Sequence, residues 1–387
     1  VTITAVDGPG ERPAGPPPSQ RRPPGPIERY DPDAPPATKL DLLFELALGA
    51  GDQSLAQGRA GSAVFILRDD ITTRGDGAYG AIVQSIGGGG GVVSLTPAEI
   101  DRATTTSLSS GEVVMGSAAQ CQVGTACGGA DRFDVTLGED SFITTLGAGS
   151  RGVVAQSVQS GGGVATGFEL LERATAGESA NLIREISILG ANAFPDALPV
   201  DASFVADGDI QTLGADADGV VMQAIAGGGG VIGGAGGASW TYDEDKDKRQ
   251  PPAPVSHVTD PNSYIMSIDL GQSTAQAGIQ NLGVTAELGG AIRTWGDYAE
   301  AAIVQSISGG GGVAGLSRDP TSDSAAAVSV RVGASGTSSA GAADRQRAQG
   351  LDANAAAGGI AATLTGDFVT SGWGANGVVL QEIMGGG

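Results

Sequence analysis

The sequence predicts an all-β fold, namely a parallel β-helix or solenoid built from five imperfect repeats with loop insertions. Composition is the first observation: glycine supplies 66 of the 387 residues, whereas charged residues make up 17% and aromatic residues 4%. Small and β-branched residues dominate the rest, which is typical of strands joined by tight turns. The second observation is a strand-like motif that ends in a glycine run and recurs five times. The third is the alternation of apolar with polar residues upstream of this motif.

Residues 1–39 are predicted to lie apart from the repeats, as a strand at Val1–Val6 followed by a linker or surface loop. Residues 7–37 are rich in proline and arginine, and proline cannot donate a hydrogen bond to a sheet ladder. Four interleaved arginines either bind an acidic surface such as a neighbouring copy or are simply solvated; they are Arg12, Arg21, Arg22 and Arg29. Because the chain opens on a strand without a signal peptide and closes inside a glycine run, we expect it to be a piece of a longer protein.

Residues 40–387 are predicted to form the repetitive solenoid. Each repeat core consists of an apolar residue, any residue, threonine, any residue, glycine, eight further residues, glutamine and a glycine run. The cores lie near residues 71–91, 143–163, 210–230, 292–312 and 368–387. Successive glutamines are 72, 67, 82 and 76 residues apart, so the core keeps its length while the segments between cores vary. This behaviour is typical of a repeat protein with a fixed wall and variable loops.

Two residue types occupy fixed positions in these cores and are the predicted structural residues. They are Gln84, Gln156, Gln223, Gln305 and Gln381, and Thr73, Thr145, Thr212, Thr294 and Thr370. Each glutamine lies between branched aliphatic residues on one strand face, such as Ile82 and Ile86, so we expect it to face inward. A buried amide needs hydrogen-bond partners, which we expect to be backbone groups of the adjacent turn or of the glycine run. The alternative is an exposed row of glutamines that binds a glycan.

The other features of the core predict close packing on all sides. The opposite strand face is also apolar, as at Ala81 and Val83, and we expect a loop, a second sheet or another subunit to cover it. The threonines are predicted to stack on parallel sheet faces. The glycine runs are predicted to form a wall or corner where sheets or chains approach closely. A phosphate-binding loop is disfavoured, because no Lys-Ser/Thr pair and no helix follow the runs.

A second, weaker strand pattern precedes the cores and predicts about two solenoid turns in each repeat. It occurs at residues 42–46, 183–188, 265–270 and 328–332, where apolar residues alternate with other residues. Between the strands, residues 95–130, 240–262 and 333–357 are predicted to be surface loops, with a short helix at 340–349 in the last.

The sequence predicts neither catalysis nor a cofactor nor a metal site. His257 is the single histidine and no nucleophile motif accompanies it. The alternating Asp243, Asp245 and Asp247 lack the central glycine and terminal glutamate of a calcium loop. Cys121 and Cys127 are close enough in the chain to form a local disulfide in an exported protein, the alternative being two free thiols.

Charge and hydropathy exclude several classes of partner. The formal net charge of −22 repels nucleic-acid phosphates and anionic membrane surfaces, so neither is an expected ligand. A membrane-spanning helix needs roughly 20 apolar residues in succession, and the sequence contains no such segment.

The motif Gly-Val/Ile-x-x-Gln-Ser-Ile followed by glycines resembles the passenger repeats of large bacterial autotransporter adhesins. The resemblance covers roughly residues 40–387 and rests on the five glutamines and their glycine runs; the acidic insertions and the proline-rich start depart from it. It implies a parallel β-solenoid that is extracellular or displayed on the bacterial outer membrane, and a close cysteine pair is compatible with such passengers. We therefore expect a non-enzymatic structural rod that self-associates into a fibre or surface layer. One alternative is an adhesin that binds a glycan or host receptor through its insertion loops, and another is a β-helix enzyme that degrades polysaccharides.

Overall fold

A computed structural model describes the strand-forming part of the chain. The described residues are 2–4, 44–48, 60–94, 111–115, 129–159, 161–168, 183–189, 200–225, 229–234, 241–243, 248–250, 265–271, 282–307, 311–315, 327–332 and 359–383. These residues form β-strands, turns and short connections and contain no α-helix.

The strands follow one another in coils that repeat the same order. Before the first complete coil lie β1 (Thr2–Thr4) and β2 (Phe44–Leu48). Coil 1 contains β3 (Ala63–Leu67), β4 (Ile71–Thr73), β5 (Ala81–Ile86), β6 (Gly90–Ser94) and β7 (Gly111–Met115). Coil 2 contains β8 (Phe133–Leu137), β9 (Phe142–Thr145), β10 (Val153–Val158), β11 (Gly162–Phe168) and β12 (Ile183–Leu189).

The later coils keep this order with one addition. Coil 3 contains β13 (Val200–Ala206), β14 (Asp209–Thr212), β15 (Val220–Ile225), β16 (Gly229–Gly234), the hairpin strands β17 (Thr241–Asp243) and β18 (Lys248–Gln250), and β19 (Ile265–Gly271). Coil 4 contains β20 (Leu282–Leu288), β21 (Ile292–Thr294), β22 (Ala302–Ile307), β23 (Gly311–Gly315) and β24 (Ala327–Val332). Coil 5 contains β25 (Ile360–Leu364), β26 (Phe368–Thr370) and β27 (Val378–Ile383).

Equivalent strands of successive coils pair in parallel, which confirms the predicted solenoid of stacked repeats. Sheet 1 contains β1 and the first strand of each coil; sheets 2, 3 and 4 contain the second, third and fourth strands; sheet 5 contains β2 and the last strand of coils 1 to 4. Each repeat is one coil, so the prediction of two turns per repeat was wrong. The weaker strand pattern corresponds to the strands of sheet 5. These strands pair with the sheet 5 strands of neighbouring coils and not with strands of the repeat cores.

In sheets 2 and 3 the register between coils follows the sequence repeat residue by residue. In sheet 2 the aligned apolar positions are Ile71, Ile143, Ile210, Ile292 and Phe368. In sheet 3 the five core glutamines are aligned in the same way. The unequal spacing of the repeats is therefore absorbed between the strands, because a slip of one residue would turn each buried face outward.

Two of the segments expected to be surface loops contain strands. β7 lies within residues 95–130, and the antiparallel hairpin of β17 and β18 lies within 240–262. The sequence of β7, Gly-Glu-Val-Val-Met, does not alternate, which is why periodicity missed it. Strand β1 pairs with β3, so residues 2–4 belong to sheet 1. Residues 5–43, residues 333–357 with the expected helix at 340–349, and the remainder of the loops lie outside the described residues.

Sheet 3 is covered on both faces by other sheets of the same chain. On one face Val153, Met222 and Val304 pack against residues of sheets 1 and 2 in the largest apolar cluster, for example Phe133 and Phe204. On the other face Val154, Val221 and Ile303 pack against Val164 and Val231 of sheet 4. Strands of sheet 4 in turn contact strands of sheet 5. This arrangement explains why the sheet 3 strand is apolar on both sides, and it involves no second subunit.

Sheet 4 brings glycine backbones of neighbouring coils into close contact. Gly91, Gly163, Gly230 and Gly312 are aligned, and all four have φ values between 145° and 155°. A Cβ atom added at Gly230 would overlap the carbonyl oxygen of Gly163 in the preceding coil. Glycine is therefore required at this position both for its φ angle and for the space between coils. The close approach that was expected between sheets or chains occurs here between coils of one chain.

Replacing Gly230 by alanine tests this double requirement, and Gly91→Ala is the matched control. Both substitutions force alanine into a positive φ, which costs on the order of 1–3 kcal/mol. A Cβ at Gly91 would meet nothing within 4 Å, so only Gly230→Ala adds a steric overlap. We expect Gly230→Ala to lower the free energy of unfolding by a further ~1–3 kcal/mol or more, measured by denaturant titration. Equal losses in the two variants would contradict the close backbone contact.

Candidate functional site

The core glutamines form a continuous hydrogen-bonded ladder through all five coils. The Nε2 of Gln84 donates to Oε1 of Gln156 at 2.7 Å, and the Nε2 of Gln156 donates to Oε1 of Gln223 at 2.7 Å. The ladder continues from Gln223 to Gln305 at 2.8 Å and from Gln305 to Gln381 at 2.7 Å. Each amide thus bonds the amide one coil further along.

The ladder corrects the expected partners of the glutamines. Backbone groups were predicted as the main partners, but among the described residues only Gln223 makes a further contact of this kind, a long 3.5 Å bond to the carbonyl of Gly230. Side chains pair with side chains because the exact coil register brings identical amides together. Gln156, Gln223 and Gln305 are buried, Gln84 is half-buried and Gln381 is exposed. The three central glutamines therefore cannot form an exposed row that binds a glycan.

Breaking the ladder at its centre is predicted to destabilise the fold more than breaking it at its end. Gln223→Leu leaves the Nε2 of Gln156 and the Oε1 of Gln305 without their ladder partners inside the protein. Each buried polar group left unpaired costs about 1–3 kcal/mol, so we expect a loss of ~2–6 kcal/mol in the free energy of unfolding. The control Gln381→Leu also removes one acceptor, that of the Gln305 Nε2, but Gln381 is exposed and water can replace it, so the cost should be less than about 1.5 kcal/mol. Denaturant titrations that give equal losses would contradict a cooperative buried ladder.

The recurring threonines stack in sheet 2 and also close the turn that leads into sheet 3. Each hydroxyl donates to the backbone carbonyl five residues later, from Thr73, Thr145, Thr212, Thr294 and Thr370 to Ala78, Ser150, Ala217, Ala299 and Ala375. The register places the threonines of neighbouring coils beside one another. The turn-closing bond was missing from the sequence prediction, although the constant spacing from threonine to the next strand was its signal.

The same turns contain a left-handed residue in every coil. It is glycine in three coils, at Gly77, Gly149 and Gly374, and it is Asp216 or Tyr298 in the other two, with φ of 51° and 55°. Non-glycine residues rarely adopt this conformation. The threonine bond and the stacking of each turn on its neighbours hold it in place; for example, the N–H groups of Asp216 and Tyr298 donate to the carbonyls of Asp297 and Trp373 in the following coil.

Removing one threonine hydroxyl tests the contribution of the turn bond. Thr294 is buried and its Oγ1 lies 2.5 Å from the Ala299 carbonyl, whereas the same atoms of Thr370 and Ala375 are 3.4 Å apart. Thr294→Val preserves shape but leaves a buried carbonyl unpaired, so we expect a loss of about 1–3 kcal/mol in the free energy of unfolding. Thr370→Val, at a half-buried position, should lose no more than half as much. A reversed order in thermal or chemical unfolding would contradict this role.

A third column of polar side chains lies immediately before the sheet 3 strands. Its members, one from each coil, are Tyr79, Arg151, Asp218, Glu300 and Asn376. The Nη1 of Arg151 donates to the Tyr79 hydroxyl at 3.0 Å, and its Nε lies 2.6 Å from Oδ2 of Asp218. The Nδ2 of Asn376 donates to Oε1 of Glu300 at 3.2 Å. The five positions are equivalent but hold five different residue types. The column therefore cannot be recognised from residues that repeat in the sequence.

Electrostatics in the column are unusual because the charged groups are removed from water. The side chains of Arg151 and Asp218 are only 1% and 2% exposed. Burial alone would lower the pKa of Arg151, but Tyr79, Asp218 and Asp216 together raise it above its ordinary value, so the guanidinium stays charged. Burial and the neighbouring Asp218 carboxylate raise the pKa of Glu300 to about 8. The column therefore keeps the Arg151 guanidinium charged beside Asp218, and it favours the protonated form of the half-buried Glu300.

In the part of the chain that the structure describes, no group of three or more His, Cys, Asp or Glu residues is arranged to hold a metal ion. Asp218 is too deeply buried to contact a polysaccharide, so the pair of Asp218 and Glu300 does not resemble the exposed acids of a glycosidase. Asp243 lies in β17, whereas Asp245, Asp247, His257, Cys121 and Cys127 lie outside the described residues. The predicted disulfide therefore remains a prediction.

Comparisons with protein-family models, with curated proteins and with solved structures found no match for this chain. The described part of the chain contains no helix that is long and apolar enough to cross a membrane. The insertion segments that would carry the ligand sites of an adhesin lie mostly outside the described residues, so that alternative stays a prediction.

Proposed function

We propose that the chain is a non-enzymatic structural protein of the cell exterior, a β-solenoid rod that self-associates through the strand edges of coil 5. The observation that carries this proposal is the open edge of coil 5 in the part of the chain that the structure describes. There, strands β25, β26 and β27 of sheets 1, 2 and 3 pair on one side only. Unpaired strand edges readily accept another chain.

Apolar exposure is concentrated at the same end. Among the described residues five large hydrophobic side chains are exposed, and four of them lie in coil 5: Leu364, Val369, Trp373 and Leu380, with exposures from 40% to 67%. The equivalents of Leu380 in coils 2 to 4 are Ala155, Met222 and Val304, which are fully buried by their neighbours. Exposed apolar surface of this kind is typical of an association site.

A second copy of this chain is the occupant that we propose for this end. The coils of this chain already fit one another. In sheet 3, four successive pairs of coils align their backbone groups, core glutamines and branched aliphatic residues in register. At the opposite end β1 and β2 already pair on the edges of sheets 1 and 5, so the two ends are not equivalent. The resemblance to autotransporter passengers supports a surface location, and assembly into a fibre or layer is the expected form.

Sedimentation equilibrium of the purified chain tests this proposal. We expect concentration-dependent association, which Leu380→Lys should weaken at least about tenfold in dissociation constant, since it would place a charge in the contact. Thr285→Lys is the control, because Thr285 is exposed on sheet 1 away from the end and the substitution adds the same charge. A chain that is monomeric at every concentration would overturn the proposal, as would equal weakening by both lysines. Electron microscopy of the associated material then distinguishes a fibre or layer from a closed oligomer.

A further inference from the structure

The two ends of sheet 3 carry complementary halves of the bond that builds the glutamine ladder. The sheet ends at β27 in coil 5 and at β5 in coil 1, and each of these strands pairs on one side only. Every ladder bond runs from Nε2 of one coil to Oε1 of the next. Among the described residues, no coil follows Gln381 to accept from its Nε2, and no coil precedes Gln84 to donate to its Oε1. One end therefore offers a donor and the other an acceptor.

The strands at the two ends match a pair that already exists inside the fold. Strands β5 and β22 have the same sequence, Ala-Ile-Val-Gln-Ser-Ile. Strand β22 pairs with β15, and β27 differs from β15 only at Leu380 and Glu382. A β5 strand placed on the free edge of β27 would therefore repeat the junction of coils 3 and 4 in sheet 3.

A glycine in coil 1 is explained by a preceding coil that the described part of the chain does not contain. A Cβ at the equivalent glycines of coils 2 to 5 would overlap the carbonyl of the preceding coil; these are Gly147, Gly214, Gly296 and Gly372. A Cβ at Gly75 would meet only the Ala78 Cβ at 3.7 Å, an ordinary contact, and its φ is not positive. The described contacts of Gly75 thus permit a side chain, whereas a coil stacked before coil 1 would exclude one.

We propose that copies of this chain join head to tail, with coil 1 of the next copy stacked on coil 5 in the register of coils 3 and 4. This inference rests on the self-association proposed above and names the surface that the partner contributes. The Nε2 of Gln381 donates to Oε1 of Gln84 of the next copy, and Leu380 packs beside Val83 of that copy. Since each copy keeps one free end of each kind, further copies add along the stacking direction and produce a filament.

Sheets 1 and 5 show how the two ends fit together. The described part of coil 5 has no sheet 5 strand, and β2 lies one coil before β7 in sheet 5. At the junction, β2 of the next copy therefore fills the coil 5 position beside β24. In sheet 1, β25 takes the edge of β3 that β1 holds in the single chain. Strand β1 pairs with β3 at three positions and β25 pairs with β20 at five, so β1 gives way to a longer strand.

Glu382 opposes the junction and limits its strength. The aligned residues of the other coils are uncharged, namely Ser85, Ser157, Ala224 and Ser306. Stacking of a second copy would remove water from the Glu382 carboxylate, which costs free energy. This cost and the displacement of β1 make the association reversible and dependent on concentration.

Sedimentation equilibrium of two blocked variants, alone and mixed, tests the head-to-tail contact. Gly75→Ala blocks the coil 1 end, because its Cβ would overlap the Gly372 carbonyl of the other copy as a Cβ at Gly147 overlaps that of Gly75. Leu380→Lys blocks the coil 5 end. We expect each variant alone to associate at least about tenfold more weakly than the wild type. Their equimolar mixture should form dimers as tightly as the wild type and nothing larger, because one intact end of each kind remains.

Gly61→Ala is the matched control for the coil 1 end. Its Cβ would meet nothing within 4 Å, and the aligned position of coil 2, two residues before the strand, carries the side chain of Asp131. This variant should associate as the wild type does. Wild-type association of Gly75→Ala would overturn the head-to-tail contact and leave self-association through coil 5 standing. A wild-type chain that is monomeric at every concentration would overturn both.

Hydrogen exchange of the wild type keeps the test decisive if Gly75→Ala does not fold. On raising the protein concentration, we expect the backbone amides of β5 and β27 to gain protection, whereas those of β10, which pairs on both sides, should not change. Protection gained in β27 alone would show that coil 5 pairs with coil 5, and it would overturn the head-to-tail contact.

Discussion

Coil register is the constraint on which the remaining structure depends. The parallel stack buries both faces of sheet 3. Every coil must therefore place its inward and outward side chains directly beside the equivalent side chains of the coil before it. The glutamine ladder adds a polar requirement to this apolar one, because an amide shifted by one residue would leave the column and lose its partners. Hydrophobic burial supplies the driving force for stacking, and the amides select the alignment.

The glycine positions follow from the same constraint. Sheet 4 covers the glutamine face of sheet 3, and its coils lie so close together that a Cβ atom at Gly230 or Gly312 would overlap the backbone of the preceding coil. The turn between sheets 2 and 3 is likewise fixed by register, since it starts at a stacked threonine and ends at a stacked strand. Asp216 and Tyr298 adopt left-handed conformations there because the turns on either side do so.

The sequence predicted the solenoid, the five repeats and the strands of sheet 3 because these depend on identity at fixed spacing. It overestimates the number of turns per repeat, because the strand pattern that precedes each core predicts a second turn, whereas these strands form sheet 5 of the same turn. Of sheet 1, only β1 was predicted as a strand; the first strand of each coil was overlooked, although Phe133, Val135 and Leu137 alternate clearly with Asp134 and Thr136. The column from Tyr79 to Asn376 could not be predicted by repetition, since its chemistry lies in differences between coils that become visible only when the coils are stacked.

The glutamine ladder gives the solenoid a dipole along the direction in which the coils stack. Every bond in it runs the same way, with nitrogen on the earlier coil and oxygen on the later one, from Gln84 to Gln381. Backbone hydrogen bonds in a parallel sheet point alternately up and down the stack, so their dipoles largely cancel along its axis. The side-chain amides do not alternate, and their dipoles add. Partial negative charge therefore accumulates at the carbonyl of Gln84 and partial positive charge at the exposed amide of Gln381. Each added coil lengthens this dipole. A coil with an apolar residue in place of the ladder glutamine would interrupt the row of amides and leave two shorter dipoles.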